Sequence, residues 1–163
     1  MIIHPTKTIA ARNAIFTAQN SGLHLDLTHM ALGDTGGAID DARTTLRNER
    51  ERVPLFGERV SIDAIALAAM FDGPATFDVR ELGIFSNSLL VYYWSTTAAD
   101  LGRKTAGFEW LFRDTLTLDD ADQAVLNIAV QAQVLNLTVL PQLLSFGKAI
   151  IDTQLLVLKN HYL

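Results

Sequence analysis

The spacing of apolar residues predicts an α+β domain, an antiparallel β-sheet with a helix at its amino-terminal side and a helix at its carboxy-terminal side. Three observations carry this. Leu23-His24-Leu25-Asp26-Leu27-Thr28-His29-Met30 alternates apolar and polar residues with period two, as a strand with one buried face does. Two turn signals, Asp72-Gly73-Pro74 and Ser86-Asn87-Ser88, cut the middle of the chain into short β-rich pieces. From Pro141 onward the spacing changes to a helical repeat.

Taken in order, Thr6 to Gln19 places apolar residues on helical spacing, and Asn20-Ser21-Gly22 supplies a stop with glycine just past the end. The alternating segment at 23–30 reads as one strand, broken by Gly33, Gly36 and Gly37. The charged stretch 42–51 leads into Arg52-Val53-Pro54, where proline predicts an edge or extended segment. Val60 to Phe71 reads as a single strand, with alternation starting at Val60 and Ile62. Thr76 to Phe85 and Leu89 to Ser95 read as two strands around a short turn, and Thr96 to Thr105 as a loop. Gly107 to Leu118 and Ala124 to Val134 predict a second hairpin with Asp119-Asp120 at its turn.

In the tail, Leu144, Ile151, Leu155, Leu158 and Tyr162 share one helical face. Leu143, Ile150 and Val157 flank it at seven-residue spacing, a stripe too wide to sit in water alone. Residues 1–136 therefore read as the sheet domain and 137–163 as a helical segment that either covers the sheet or associates with another chain.

Composition removes several classes of function. A net charge of −5 offers no basic field for phosphates, so nucleic acid is not an expected partner. No apolar run reaches the roughly 18 to 20 residues of a membrane-spanning helix, so no membrane insertion is expected. The absence of cysteine excludes disulfides and thiolate metal sites and fits synthesis in a reducing cytoplasm. The first residues, MIIHPTKTIAARNA, lack the basic-then-apolar pattern of a secretory leader.

Asp34-Thr35-Gly36 spells the triplet of aspartic proteases, whose chemistry needs two carboxylates sharing a proton, each following an apolar strand. Gly33 stands where that class has a bulky apolar residue, so the triplet reads as a turn with Asp34 bonding its own backbone. His24 and Asp26 share strand parity but His29 does not, which leaves no closed metal site. The serines lack a nucleophile elbow and a nearby histidine, and the glycines lack a phosphate-loop context. Neither a catalytic residue nor a cofactor or metal is expected. The cluster at Arg47, Glu49, Arg50, Glu51 and Arg52 reads as a solvated face or a docking rim. Glu81, inside an apolar strand, is expected to be paired or to accept backbone hydrogens. Tyr92, Tyr93, Trp94, Phe108 and Trp110 are core residues or interface anchors.

Three stretches in this order, Ala31-Leu32-Gly33-Asp34, then Thr45 to Pro54 (TLRNERERVP), then Thr76 to Phe85 (TFDVRELGIF), give the chain a family resemblance. It resembles the amino-terminal domain of bacteriophage tail-collar and tail-fibre proteins over about residues 5 to 135. The residues that carry the match are Gly33, Asp34, Leu46, Asn48, Arg52, Val53, Pro54, Phe77, Arg80, Glu81, Gly83 and Phe85. The resemblance implies a structural role at the base of a trimeric fibre, fastening it to the baseplate of a tail. Where the family often carries a Tyr-Lys pair, this chain has Arg103-Lys104. Family fibres usually continue into a shaft and a receptor-binding tip. The short remainder here suggests an anchor or adaptor that hands on to a separate distal fibre protein.

Overall fold

The computed structural model describes residues 4–97 and 101–128, and all of these lie in one compact unit, Met1–Gln131. The tail stripe of Leu144, Ile151, Leu155, Leu158 and Tyr162 falls outside the described residues. What is described is mostly antiparallel sheet with two short helices, in keeping with the α+β expectation.

Strand β1 (Thr6–Lys7) leads into helix α1 (Ile9–Ser21). The helix starts where Thr8 accepts the Ala11 N–H on its side chain, and it ends at Gly22 in the left-handed region, φ 66°. Ala11, Ile15 and Ala18 form its buried face. Strands β2 (Leu25–Leu27) and β3 (His29–Gly33) replace the single strand expected over 23–30. The break is at Thr28, whose N–H bonds to the Phe85 carbonyl while its own carbonyl accepts from Leu55. Alternation therefore resets there, and Leu27 and Met30 are both buried.

After a long loop come β4 (Glu49–Pro54) and β5 (Phe56–Ser61), then β6 (Ala64–Phe71). The strand expected over Val60 to Phe71 is in fact a hairpin, β5 and β6, and Ile62 lies in its turn, 75 % exposed. True alternation begins one step later, with Ile65, Leu67, Ala69 and Phe71 buried. Short β7 (Phe77–Asp78) precedes the hairpin of β8 (Glu81–Ser86) and β9 (Leu89–Ser95), turned at Asn87 with φ 53°. The loop after it holds β10 (Arg103–Lys104), paired with β7, and then β11 (Trp110–Thr117).

Among the described residues no second hairpin follows β11. Asp119 caps a helix, α2 (Asp120–Val125), by accepting the Asp122 N–H, and β12 (Leu126–Ile128) then pairs in parallel with β2. An aspartate pair that reads as a turn is here a helix start, with Asp120 and Asp122 in the first turn where the helix dipole favours negative charge. The part of that expected strand beyond Ile128 lies outside the described residues.

Two main sheets result. One has the order β1-β9-β8-β3-β4 and the other β11-β6-β5. Their apolar faces share one core with α1, in which Met30, Leu32, Leu82, Ile84, Tyr92 and Trp94 meet Ile65, Leu67, Phe71, Phe112 and Leu116. A second, smaller cluster of Ala31, Leu46, Phe85, Leu90 and Tyr93 covers the other face of the five-stranded sheet. This explains why every residue of β8 is buried. A sheet covered on both sides has no solvent face to alternate toward.

Candidate functional site

At one end of the five-stranded sheet, β3 aligns Gly33 with Glu49 of β4 on one side and with Glu81 of β8 on the other. Glu81 is fully buried. One carboxylate oxygen accepts the backbone N–H groups of Arg47 (2.9 Å) and Asn48 (3.2 Å); the other accepts the Tyr93 hydroxyl (2.6 Å) and the Arg47 guanidinium (3.2 Å). A buried charge is tolerated only when its lone pairs are filled in this way. The Tyr93 phenol is pushed up to about 12, first by burial and then by its bond to Glu81.

Arg47 is the hub of this network. Its guanidinium also donates to Ser95 Oγ (3.3 Å), to the Ala38 carbonyl (2.8 Å) and to the Tyr93 hydroxyl. The loop 34–48 is thereby folded back over the sheet, and the Gly37 N–H donates to Ser95 Oγ (3.0 Å). A Cβ on Gly37 would lie 2.7 Å from Arg47 Nε, so the guanidinium occupies the space a side chain would need. The glycine pair, which in sequence suggests an exposed turn, is a packing surface for arginine.

Beside this buried knot lies an open polar cleft of about 450 Å3. Asp34, Asn48, Phe77, Asp78, Arg80 and Arg103 line it. Asp34 does not bond its own backbone as expected. Its Oδ1 accepts from Asn48 Nδ2 (2.6 Å) and Thr35 Oγ1 (3.3 Å), and its Oδ2 lies 3.6 Å from Arg50. Arg103 pairs with Asp78 at 3.3 Å. Arg80 is exposed, and its guanidinium has no partner among the described residues; its backbone joins Gly33 and Thr96. The cleft thus mixes two carboxylates with two arginines and leaves one cation for an incoming group.

Of the remaining family-pattern residues, Arg52, Val53 and Pro54 lie in the second half of β4. Arg52 forks onto Glu49 (2.9 and 2.6 Å) and lies 3.7 Å over the Phe85 ring. That position suits the ring's negative face. Val53 is buried in the main core, Pro54 aligns with His29 at the strand end, and Leu46 packs in the smaller cluster. Gly83 lies between Ala31 and Tyr93 in the sheet. β4 is an edge strand among the described residues, as its proline suggests.

Among the described residues there is no group of three or more His, Asp or Glu able to hold a metal. His24 and Asp26 are exposed, and His29 contacts Thr28 through Nδ1 (2.9 Å). Of the five aromatic anchor candidates, Tyr92, Tyr93 and Trp94 are buried and Trp110 is half-buried against Phe71 and Phe112. Phe108 alone stands out, 72 % exposed.

Two charge clusters escape sequence reasoning because their members are far apart in the chain. Lys7 lies 2.6 Å from both Asp119 and Asp122, and buried Asp122 also accepts the Tyr92 hydroxyl. Burial on its own would lower the Lys7 pKa, but the hydrogen bonds to the two aspartates outweigh it and the net shift is upward. Asp119 is held below the usual carboxylate range chiefly by its bond to Lys7. Burial and the bond to Asp122 lift the Tyr92 phenol far above its ordinary value. Elsewhere the fully buried Lys104 bonds to the Gly73 and Ala75 carbonyls, 3.5 Å from Glu51, which accepts the Gly73 N–H (2.8 Å). This clamp closes the Asp72–Pro74 turn.

No family model, no curated protein and no solved structure matches this chain.

Proposed function

We propose that this chain is a non-enzymatic structural protein of a virion tail, a domain that anchors or adapts a tail fibre to the baseplate of a phage tail or tail-like particle. The observation that carries the reading is a convergence. Gly33-Asp34, Arg47-Asn48 and the Phe77–Glu81 stretch come from the three separated stretches of the family resemblance, and they meet around one buried carboxylate and one polar cleft. Such a construction suits attachment. A rigid, fully bonded knot holds the loop 34–48 in place, and the cleft beside it presents Arg80 to a partner's carboxylate.

In this reading the baseplate protein docks at the cleft, the chain associates with itself as a homotrimer through the 143–163 stripe, and a separate distal fibre protein follows. The protein is made in the host cytoplasm and resides at the fibre base. A charge at an interface rim governs encounter and register more than fold. Arg80→Glu is therefore expected to leave the melting temperature within a few degrees while lowering incorporation into purified tail particles about tenfold or more. Incorporation equal to wild type would remove the cleft from the docking surface.

A further inference from the structure

β11 is an edge strand with eight residues, Trp110–Thr117, and among the described residues only β6 pairs with it. The Leu118 N–H bonds to the Asp63 carbonyl at 2.7 Å, and this fixes the phase of the antiparallel ladder. In such a ladder the hydrogen-bonded pairs recur at every second residue. The backbone groups of Trp110, Phe112, Asp114 and Leu116 therefore point to β6, and those of Leu111, Arg113, Thr115 and Thr117 point to the open edge. Thr115 agrees with this phase, since its N–H is taken by the neighbouring Asp114 carboxylate at 2.8 Å.

Alongside that edge the two sheets part and leave a cavity of about 230 Å3. Its walls are the core side chains Leu67, Leu82, Ile84, Tyr92, Phe112 and Leu116, with His4 and Pro5 at the rim. Across the gap the five-stranded sheet ends in β1, only two residues long, so among the described residues nothing of strand length closes this side. Asp114 shares strand parity with Phe112 and Leu116, which places a half-buried carboxylate beside the groove's apolar side chains, with Thr115 and Thr117 also lining it. Inward charges on edge strands block unwanted pairing. A carboxylate that closes its own edge N–H can do so until a better partner arrives.

We infer that β11 and this groove receive an extended segment of a partner polypeptide as a fourth strand. Its backbone bonds to Leu111, Arg113, Thr115 and Thr117, its alternate apolar side chains enter the groove, and a basic side chain faces Asp114. Main-chain pairing supplies affinity in this mode of recognition, and pockets for alternate side chains supply selectivity. A lysine opposite Asp114 replaces the lost Thr115 contact with an ion pair. The inference rests on this edge alone and stands whether or not the partner belongs to a tail.

The test uses the full chain and two labelled peptides, acetyl-Thr-Val-Thr-Lys-Thr-Val-Thr-amide and the same peptide with glutamate in place of lysine, with binding read by fluorescence anisotropy. The lysine peptide is expected to bind at least about fivefold more tightly than the glutamate peptide, and Asp114→Asn to abolish that preference. Thr115→Pro removes no ladder bond, because the Thr115 N–H faces outward, and it is expected to weaken the lysine peptide about tenfold or more. Equal binding of both peptides to the wild-type chain, a preference that survives Asp114→Asn, or the absence of binding by either peptide would each overturn the inference.

Discussion

At Glu81 a single carboxylate takes four hydrogen bonds in a site closed to water. Removing it strands the Arg47 guanidinium, the Tyr93 hydroxyl and two backbone N–H groups together. Glu81→Ala is expected to cost about 3–5 kcal/mol in urea unfolding, the range for breaking a buried charge pair by deleting one partner. Sequence makes this residue legible, because a lone charge within an apolar strand must find partners. It does not reveal that the partner is Arg47, thirty-four positions earlier. Asp34 illustrates the opposite case. A turn-forming aspartate is expected to bond locally, yet Asn48 and Arg50 on the far side of the loop compete better.

The pH response is also set by single residues. Tyr93 and Tyr92 hold their protons more tightly in the folded state, and so does Lys7. Their contributions are therefore fully present below the ordinary phenol pKa of about 10 and are lost as pH rises toward and past the folded values. Asp119 acts in the other direction, adding stability above its ordinary range and losing it as pH falls. Thermal melts are expected to show a plateau between about pH 5 and pH 9 and a fall on the alkaline side. Tyr92 and Tyr93 phenolate absorbance should appear together with unfolding. Ionisation of both phenols near pH 10 in a still-folded chain would contradict the burial assigned to them.

On the scale of elements, local signals succeeded where the partner was local. The α1 helix is bounded by Thr8 and Gly22, both of which cap it. Nothing lies within 4 Å of a Cβ built on Gly22, so its conformation alone sets the cost of replacement. Gly22→Ala is expected to lower stability by about 1–2 kcal/mol, the penalty of a left-handed residue with a Cβ, with unchanged far-ultraviolet helix signal in the folded state. A loss below a few tenths would mean that the helix ends elsewhere. The misread elements failed for physical reasons. Val60 and Ile62 imitate alternation while one sits on an exposed strand and the other in a turn, and the ladder shifts register between Arg59 and Ser61. β12 pairs in parallel with β2, about a hundred residues earlier in the chain, and no local pattern encodes that choice.

For the molecule as a whole, the described residues form two main sheets around a shared core, with Phe16, Leu23, Ile62 and Phe108 left well exposed. An antiparallel α+β core was legible from turns and alternation, because burying one face of each strand is a local demand. The polar cleft was only partly legible. Asp34, Asn48, Phe77, Asp78 and Arg80 stand within motif stretches, whereas Arg103 joins them through the β7–β10 pairing, whose β10 half reads as loop in the sequence. Under the proposed function, the sheet domain holds the docking cleft rigid while self-association multiplies a single contact into three. Avidity of that kind lets individually modest contacts hold a fibre under load.

The central claim is that this chain is a built-in part of a tail. The most direct measurement is quantitative mass spectrometry of tail particles purified from cells that produce this chain, combined with gold-labelled antibody against residues 4–128. The proposed function predicts a fixed number of copies per particle, in a multiple of three, with label confined to the junction of baseplate and fibre. A chain that stays in the soluble lysate and is missing from intact, fibre-bearing particles would contradict it.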